Sequence, residues 1–209
     1  MSRHGPRPLK RERQRSPQFE LLVFTEGEVT EVNYLTHLHR QVRDAVTVSI
    51  DAFHGGPLQL VEHAIDSKEA DTRGEQKGHG RARDGYWCVF DTDVHPNLDQ
   101  AVQLAAAHDI GIGLSNPCLE LWFMLHYADQ TAYLTGQEAQ SEWRRLCGAR
   151  GKAVDAEVAA QLFERFAGAK VRATQLNAKH HLDGSPPGSN PSSSVWRLVD
   201  TILSHRPAF

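Results

Sequence analysis

Two acidic clusters follow two apolar runs. Leu21-Leu22-Val23-Phe24 leads into Thr25-Glu26-Gly27-Glu28-Val29-Thr30-Glu31, and Tyr86-Trp87-Cys88-Val89-Phe90 leads into Asp91-Thr92-Asp93-Val94-His95. Each apolar run reads as a buried strand, and ligands of an open α/β sheet collect beyond the carboxyl ends of its strands. Carboxylates gathered there repel one another unless a cation joins them, and hard divalent ions such as Mg²⁺ take oxygen ligands. The pattern therefore predicts metal-dependent phosphoryl transfer. Alternate residues of an extended segment point the same way, so Asp91 and Asp93 can face one metal. Asp is also common in turns and caps at strand ends. One D-x-D is weak evidence, and its combination with Glu26-Gly27 at a second strand end is stronger. Gly27 would let the backbone turn sharply and approach a ligand.

The elements that must position these groups are legible in outline. The first strand spans about 19–25. An amphipathic helix over 31–43 carries Val32, Leu35, Leu38 and Val42 on one face. A β-branched strand over 45–53 ends at Gly55-Gly56-Pro57, and Pro57 suits the first turn of a helix over 58–69. The polar stretch 71–84 reads as a loop whose Arg81 and Arg83 could fold over a phosphate, or as an ordinary solvated loop. The third strand spans 85–91, a helix runs to His108, and the fourth strand spans 110–114. Ser115-Asn116-Pro117 then signals a helix over 118–127. The alternation predicts an α/β fold, a mostly parallel sheet with helices on both faces. Helices are expected over 138–146, 155–166 and up to Leu203, the last capped by Ser192 or Ser193, with 184–194 as a loop. The expected domains are a basic tail (1–17), an α/β core (18–128) and a C-terminal helical part packed on it (129–209).

Glu120 interrupts the apolar run Cys118 to Leu125, where a lone charge is expensive to bury. Near a helix start beyond strand four it would share the sheet edge of Asp91, which favours a functional role. Asn116 either fixes the loop or contacts substrate. His126 lies off the Glu120 face and reads as structural, and Tyr34 as a packing residue. Thr30 is a candidate N-cap, and Glu31 a first-turn acid favoured by the helix dipole. Arg172 and Lys179 are weaker candidates for phosphate contacts.

The 209 residues carry a net charge of −3, with 40% hydrophobic and 23% charged residues, as in folded proteins. The first fifteen residues hold six basic side chains against Glu12, a net +5 that leaves −8 for the rest. Such an arm is expected to be disordered when free and to suit nucleic-acid phosphates, or merely to solubilise. No run approaches the roughly 18 apolar residues of a membrane span, and the basic N-terminus lacks the apolar stretch of a secretory signal. A cytoplasmic location is expected. Cys88, Cys118 and Cys147 are too dispersed for a zinc site and read as thiols.

The Glu26-Gly27 and Asp91-Thr92-Asp93 strand ends resemble the Toprim domain of topoisomerases, primases and certain nucleases. Longer blocks narrow the likeness: Thr25 to Glu31 with Asn33-Tyr34, Phe90 to Asp93, Ser115 to Trp122 with His126-Tyr127, and Asn190-Pro191-Ser192-Ser193 with Leu198-Val199. In blocks from about 18 to 203, these resemble the RloB-like family, which is linked with bacterial restriction and abortive-infection loci. The resemblance implies Glu26 as general acid, base or metal ligand, with Asp91 and Asp93 binding Mg²⁺ (or Mn²⁺). Many Toprim domains carry a third acid shortly after D-x-D. Here that place is taken by His95, a candidate hydrogen-bond or proton donor to phosphate, and Glu120 or Glu31 is the candidate replacement. The activity implied is phosphodiester cleavage of tRNA, other RNA or DNA in anti-phage defence. A partner ATPase or restriction subunit, or a homo-oligomer, would supply what the acidic body lacks for binding nucleic acid. Two rivals stay open: a non-catalytic Toprim-like regulatory or assembly subunit, and a phosphatase of different fold with Asp91 as nucleophile.

Overall fold

A computed structural model describes residues 18–92, 95–148, 154–186 and 188–205. The basic arm therefore lies outside the described residues. The first half alternates strand and helix: β1 (Phe19–Thr25), α1 (Thr30–Val42), β2 (Val46–Ile50), α2 (Pro57–Gln76), β3 (Gly85–Asp91), α3 (Leu98–Ala107), β4 (Gly111–Asn116) and α4 (Leu119–Met124). The second half adds α5 (Gly136–Cys147), α6 (Ala156–Glu164), α7 (Phe166–Leu182), β5 (Ser192–Ser193) and α8 (Val195–Ser204). The five strands form one sheet in the order β2-β1-β3-β4-β5. Only β5, on β4, is antiparallel.

Strand β1 is flanked by β2 and β3 and covered on both faces, so it reads as a continuous apolar run. Its alternation divides the core. Leu21 and Val23 pack with α1, α4 and the C-terminal helices, whereas Leu22 and Phe24 pack with α2 and α3. The first layer joins both halves of the chain: Leu35 of α1, Leu162 of α6, Leu176 of α7 and Leu198 of α8 share one cluster. Among the described residues no helix is long and apolar enough to cross a membrane.

The structure differs from the sequence reading at four points. Helix α2 continues to Gln76 instead of stopping near residue 69, because Asp71 anchors its later turns to β3. The Asp71 carboxylate accepts from Tyr86 Oη at 2.6 Å and Arg83 Nη1 at 2.5 Å. The 17-residue α7 was not legible as a helix, since basic and small residues blur its apolar face, although Ala169, Ala173 and Leu176 are buried. Ser192 and Ser193 pair with Asn116 and Ser115 as a strand instead of capping α8. Thr30 is the first residue of α1 rather than its cap, and no side chain caps that helix.

His126 and Tyr34 are structural, as expected. Trp122 Nε1 donates to Tyr34 Oη at 2.9 Å. His126 Nδ1 lies 2.8 Å from the Trp122 carbonyl, which can only accept, so Nδ1 carries the proton. Its Nε2 is buried without a partner. Burial lowers the imidazole pKa from 6.5 to about 4. The unfolded chain therefore takes up this proton first as pH falls, so stability is lost from pH 6.5 downward toward pH 4, by about 3 kcal/mol from this group. Urea titrations at pH 7 and pH 4.5 should show that loss, and His126→Leu should shrink it.

Candidate active site

The strand order sets the carboxyl ends of β1 and β3 side by side. The Glu26 N–H extends the ladder by donating to the Val89 carbonyl at 3.0 Å. Its side chain then crosses to β3, where Oε2 accepts the Asp91 N–H at 3.1 Å. Glu26 Oε1 lies 2.9 Å from His95 Nε2. Both Glu26 oxygens are thus aimed at the end of β3. Asp93 lies outside the described residues.

Two further carboxylates join this edge. Glu31, in the first turn of α1, and Glu120, in the first turn of α4, are both buried, at 8% and 6% exposure. Burial, and then repulsion by Glu120 and Glu26, raises the Glu31 pKa above the usual carboxylate range. A hydrogen bond from its own backbone and the nearby His54 oppose the shift. Burial also raises the Cys118 thiol pKa, and the charges of Glu120 and Asp91 add to it. Glu26, Glu31, Glu120 and Asp91 therefore act on one neighbourhood. Among the described residues no Lys or Arg forms an ion pair with Glu26, Glu31 or Glu120.

Gly27 has a reason other than a special backbone angle. A Cβ built on it would stand 2.1 Å from Glu31 Oε2 and 2.6 Å from Oε1. The missing side chain is the space in which the Glu31 carboxylate lies.

The donor set, all carboxylate oxygen, suits a hard divalent cation in chemistry and in its surplus of charge. The geometry is less complete. Among the described residues no three His, Cys, Asp or Glu side chains form a group that could hold a metal ion.

Other expected contacts lie elsewhere. Arg81 and Arg83 precede β3 at the amino end of the sheet, opposite Asp91. Arg81 bonds the Gln18 carbonyl and Asp84, while Arg83 bonds Asp71. Both serve the strand entrance rather than a phosphate at the carboxyl end. Asn116 Nδ2 donates to the Gly188 carbonyl at 2.8 Å, so Asn116 fixes the C-terminal loop. Arg172 bonds Asp129 and the Leu125 carbonyl, and Lys179 bonds Asp183.

The structure adds His54, which motif reading missed. It follows β2, the neighbour of β1, and its Nδ1 lies 2.9 Å from the Thr25 carbonyl. That oxygen can only accept, so Nδ1 carries the proton and Nε2 of the neutral ring keeps its lone pair. The available signal was positional: a polar residue just past the second parallel strand.

Residues 21–202 match the family described as RloB-like protein. The chain belongs to the RloB-like family. No curated protein and no solved structure matches it.

Glu31 provides a test of the crowding. Because its folded pKa is raised, its contribution to stability is present below the usual carboxylate range and is lost as pH rises through the folded value. Glu31→Gln should therefore raise the melting temperature of metal-free protein more at pH 8 than at pH 5. Gly27→Ala should displace the flexible Glu31 carboxylate and reproduce part of that pH dependence. Calorimetry at both pH values measures each effect.

Proposed function

We propose that this RloB-like chain is a metal-dependent nuclease that cleaves phosphodiester bonds in RNA, tRNA included, or DNA, and that it acts in the cytoplasm in bacterial anti-phage defence. The observation that carries this reading is the Glu26 carboxylate bonded across two adjacent parallel strands to the Asp91 N–H, in a neighbourhood with surplus negative charge. The Toprim resemblance of the same residues supports it.

On this reading Glu26, Asp91, Asp93 and Glu120 would hold Mg²⁺ or Mn²⁺, which when bound would polarise a phosphoryl oxygen and activate a water. The chain's own groups orient and move protons. Glu26, once released from the Asp91 N–H, can accept a proton from the attacking water. His95, held on Glu26 Oε1, can donate to the leaving oxygen. His54, its Nδ1–H fixed on Thr25, presents Nε2 as a second proton acceptor. The net negative body calls for outside help in holding a polyanion, either from the basic arm or from a partner such as an ATPase or restriction subunit.

A second reading, a regulatory or assembly subunit without catalysis, is favoured by one observation: both Glu26 oxygens are already engaged by protein donors. Purified protein incubated with labelled tRNA, single-stranded RNA and plasmid DNA, with Mg²⁺, Mn²⁺ or EDTA, separates the two. The nuclease reading expects cleavage that EDTA abolishes. Glu26→Gln and Asp91→Asn should each slow it by about 100-fold or more, in the range for loss of a general acid–base or charge-stabilising group. Cleavage that survives EDTA or Glu26→Gln would overturn it, and toxicity that survives Asp91→Ala would favour the regulatory reading.

A further inference from the structure

A groove runs along the outer edge of β4, with a volume of about 980 Å³. One wall is α3, which presents Leu98 and Val102 toward it. The other is the C-terminal part, with Pro186, Asn177 of α7 and Arg197 of α8. Strand β4 forms the floor through Ile112 and Leu114. The groove is open because β5 pairs only with Ser115 and Asn116, leaving the first four residues of β4 paired with β3 on one edge and with no strand on the other.

Three observations together bear on what this groove takes. First, it begins at the candidate active site. Thr92, next to Asp91, lines it, and the Thr92 hydroxyl donates to the Ser115 carbonyl at the end of β4. Second, its cation is uncommitted. Arg197 is exposed and, among the described residues, forms no ion pair, only a cation–π contact with Trp196 at 5.5 Å. Asp99 is the one carboxylate on the wall. Third, the lining is mixed: apolar side chains of α3 and β4 face serine hydroxyls and an asparagine amide. Unpaired bases offer flat apolar faces with polar edges, joined by phosphates that an arginine can hold.

We infer that the β4-edge groove is the path of a single-stranded segment of the nucleic acid, its bases against Val102 and Ile112 and a phosphate on Arg197. The inference rests on the nuclease reading for its substrate class, yet its test needs no cleavage. A duplex does not offer unstacked bases to this surface, so the groove selects single strands or loops.

The experiment is fluorescence anisotropy with a fluorescein-labelled 12-nucleotide single strand (RNA and DNA versions) and the matching duplex, in EDTA, across a salt series. Single strands should bind more tightly than the duplex. Arg197→Glu should weaken binding about tenfold, and Arg197→Gln should lower the salt slope by about 0.7, the value for one phosphate contact on a single strand. Val102→Asp should weaken binding about five- to tenfold, in the range of one lost base contact. Arg145→Glu on α5, whose arginine pairs with Glu142, is the surface control and should have little effect. Equal binding by wild type, Arg197→Gln and Val102→Asp would overturn the inference, as would an Arg145→Glu effect as large as that of Arg197→Glu. So would sedimentation showing that Val102→Asp dissociates an oligomer, because the groove would then be a protein interface. Binding that follows the expected pattern without any Mg²⁺-dependent cleavage would sink the nuclease reading and leave the groove standing.

Discussion

The hydrogen bond from the Asp91 N–H to Glu26 Oε2 ties the carboxyl ends of β1 and β3 together. It exists only because β1 and β3 are parallel neighbours in register, with Thr25 opposite Val89. A glutamate one residue past the end of β1 then meets a backbone donor two residues further along β3. A slip of one residue would turn Glu26 to the other face of the sheet, since side chains alternate along a strand. The two core layers prevent that slip: Leu21 and Val23 are committed to one set of helices, Leu22 and Phe24 to the other. Packing in the apolar half of β1 thus sets the geometry at its polar end.

The remaining carboxylates follow from helices that start at the same edge. In a parallel sheet each helix that follows a strand begins where that strand ends, so Glu31 and Glu120 are brought in as first-turn residues of α1 and α4. The helix dipole favours an acid there, but burial and mutual repulsion oppose it, and for Glu31 the second effect wins: its pKa is raised. The crowding would relax if Glu31 could swing into solvent. Gly27 instead leaves it a seat against the backbone, which holds the acid inside the cluster. A fold selected only for stability would put an apolar or amide side chain in that seat. The proposed divalent ion would relieve this repulsion.

Much of this was legible in the chain itself. Apolar runs bounded by turn residues located the four parallel strands, and their alternation with helices implied a parallel sheet and hence a shared carboxyl edge. Glu26, Asp91 and Glu120 could be named because each interrupts or ends an apolar run, where a carboxylate has no packing purpose. Contacts between distant segments were not legible. Arg81 and Arg83 are close in sequence to Asp91, but Asp91 ends the strand whose entrance they flank, and only the structure shows them bonded to Asp84 and Asp71 at the opposite end. The loop 71–84 was overread because Gly74 suggests a break, whereas the Asp71 bonds to Tyr86 and Arg83 hold that turn of α2 in place. His54 carries no motif at all. Its tautomer depends on the Thr25 carbonyl, 29 residues earlier in the chain.

The C-terminal half is joined to the site through the end of β4 rather than appended to the core. Ser115 bonds Ser193 across β5 at 3.0 Å, Asn116 bonds the Gly188 carbonyl, and Ser194 closes on Leu114. The Ser115 carbonyl in turn receives both the N–H and the hydroxyl of Thr92. One residue of β4 thereby connects the segment after Asp91 to the strand that opens α8, the helix bearing Arg197. Movement of the C-terminal part at β5 would be felt at Thr92 through two hydrogen bonds and no flexible linker. A protein partner that gripped α8 would therefore reach the segment after Asp91 through the Ser193–Ser115–Thr92 bonds.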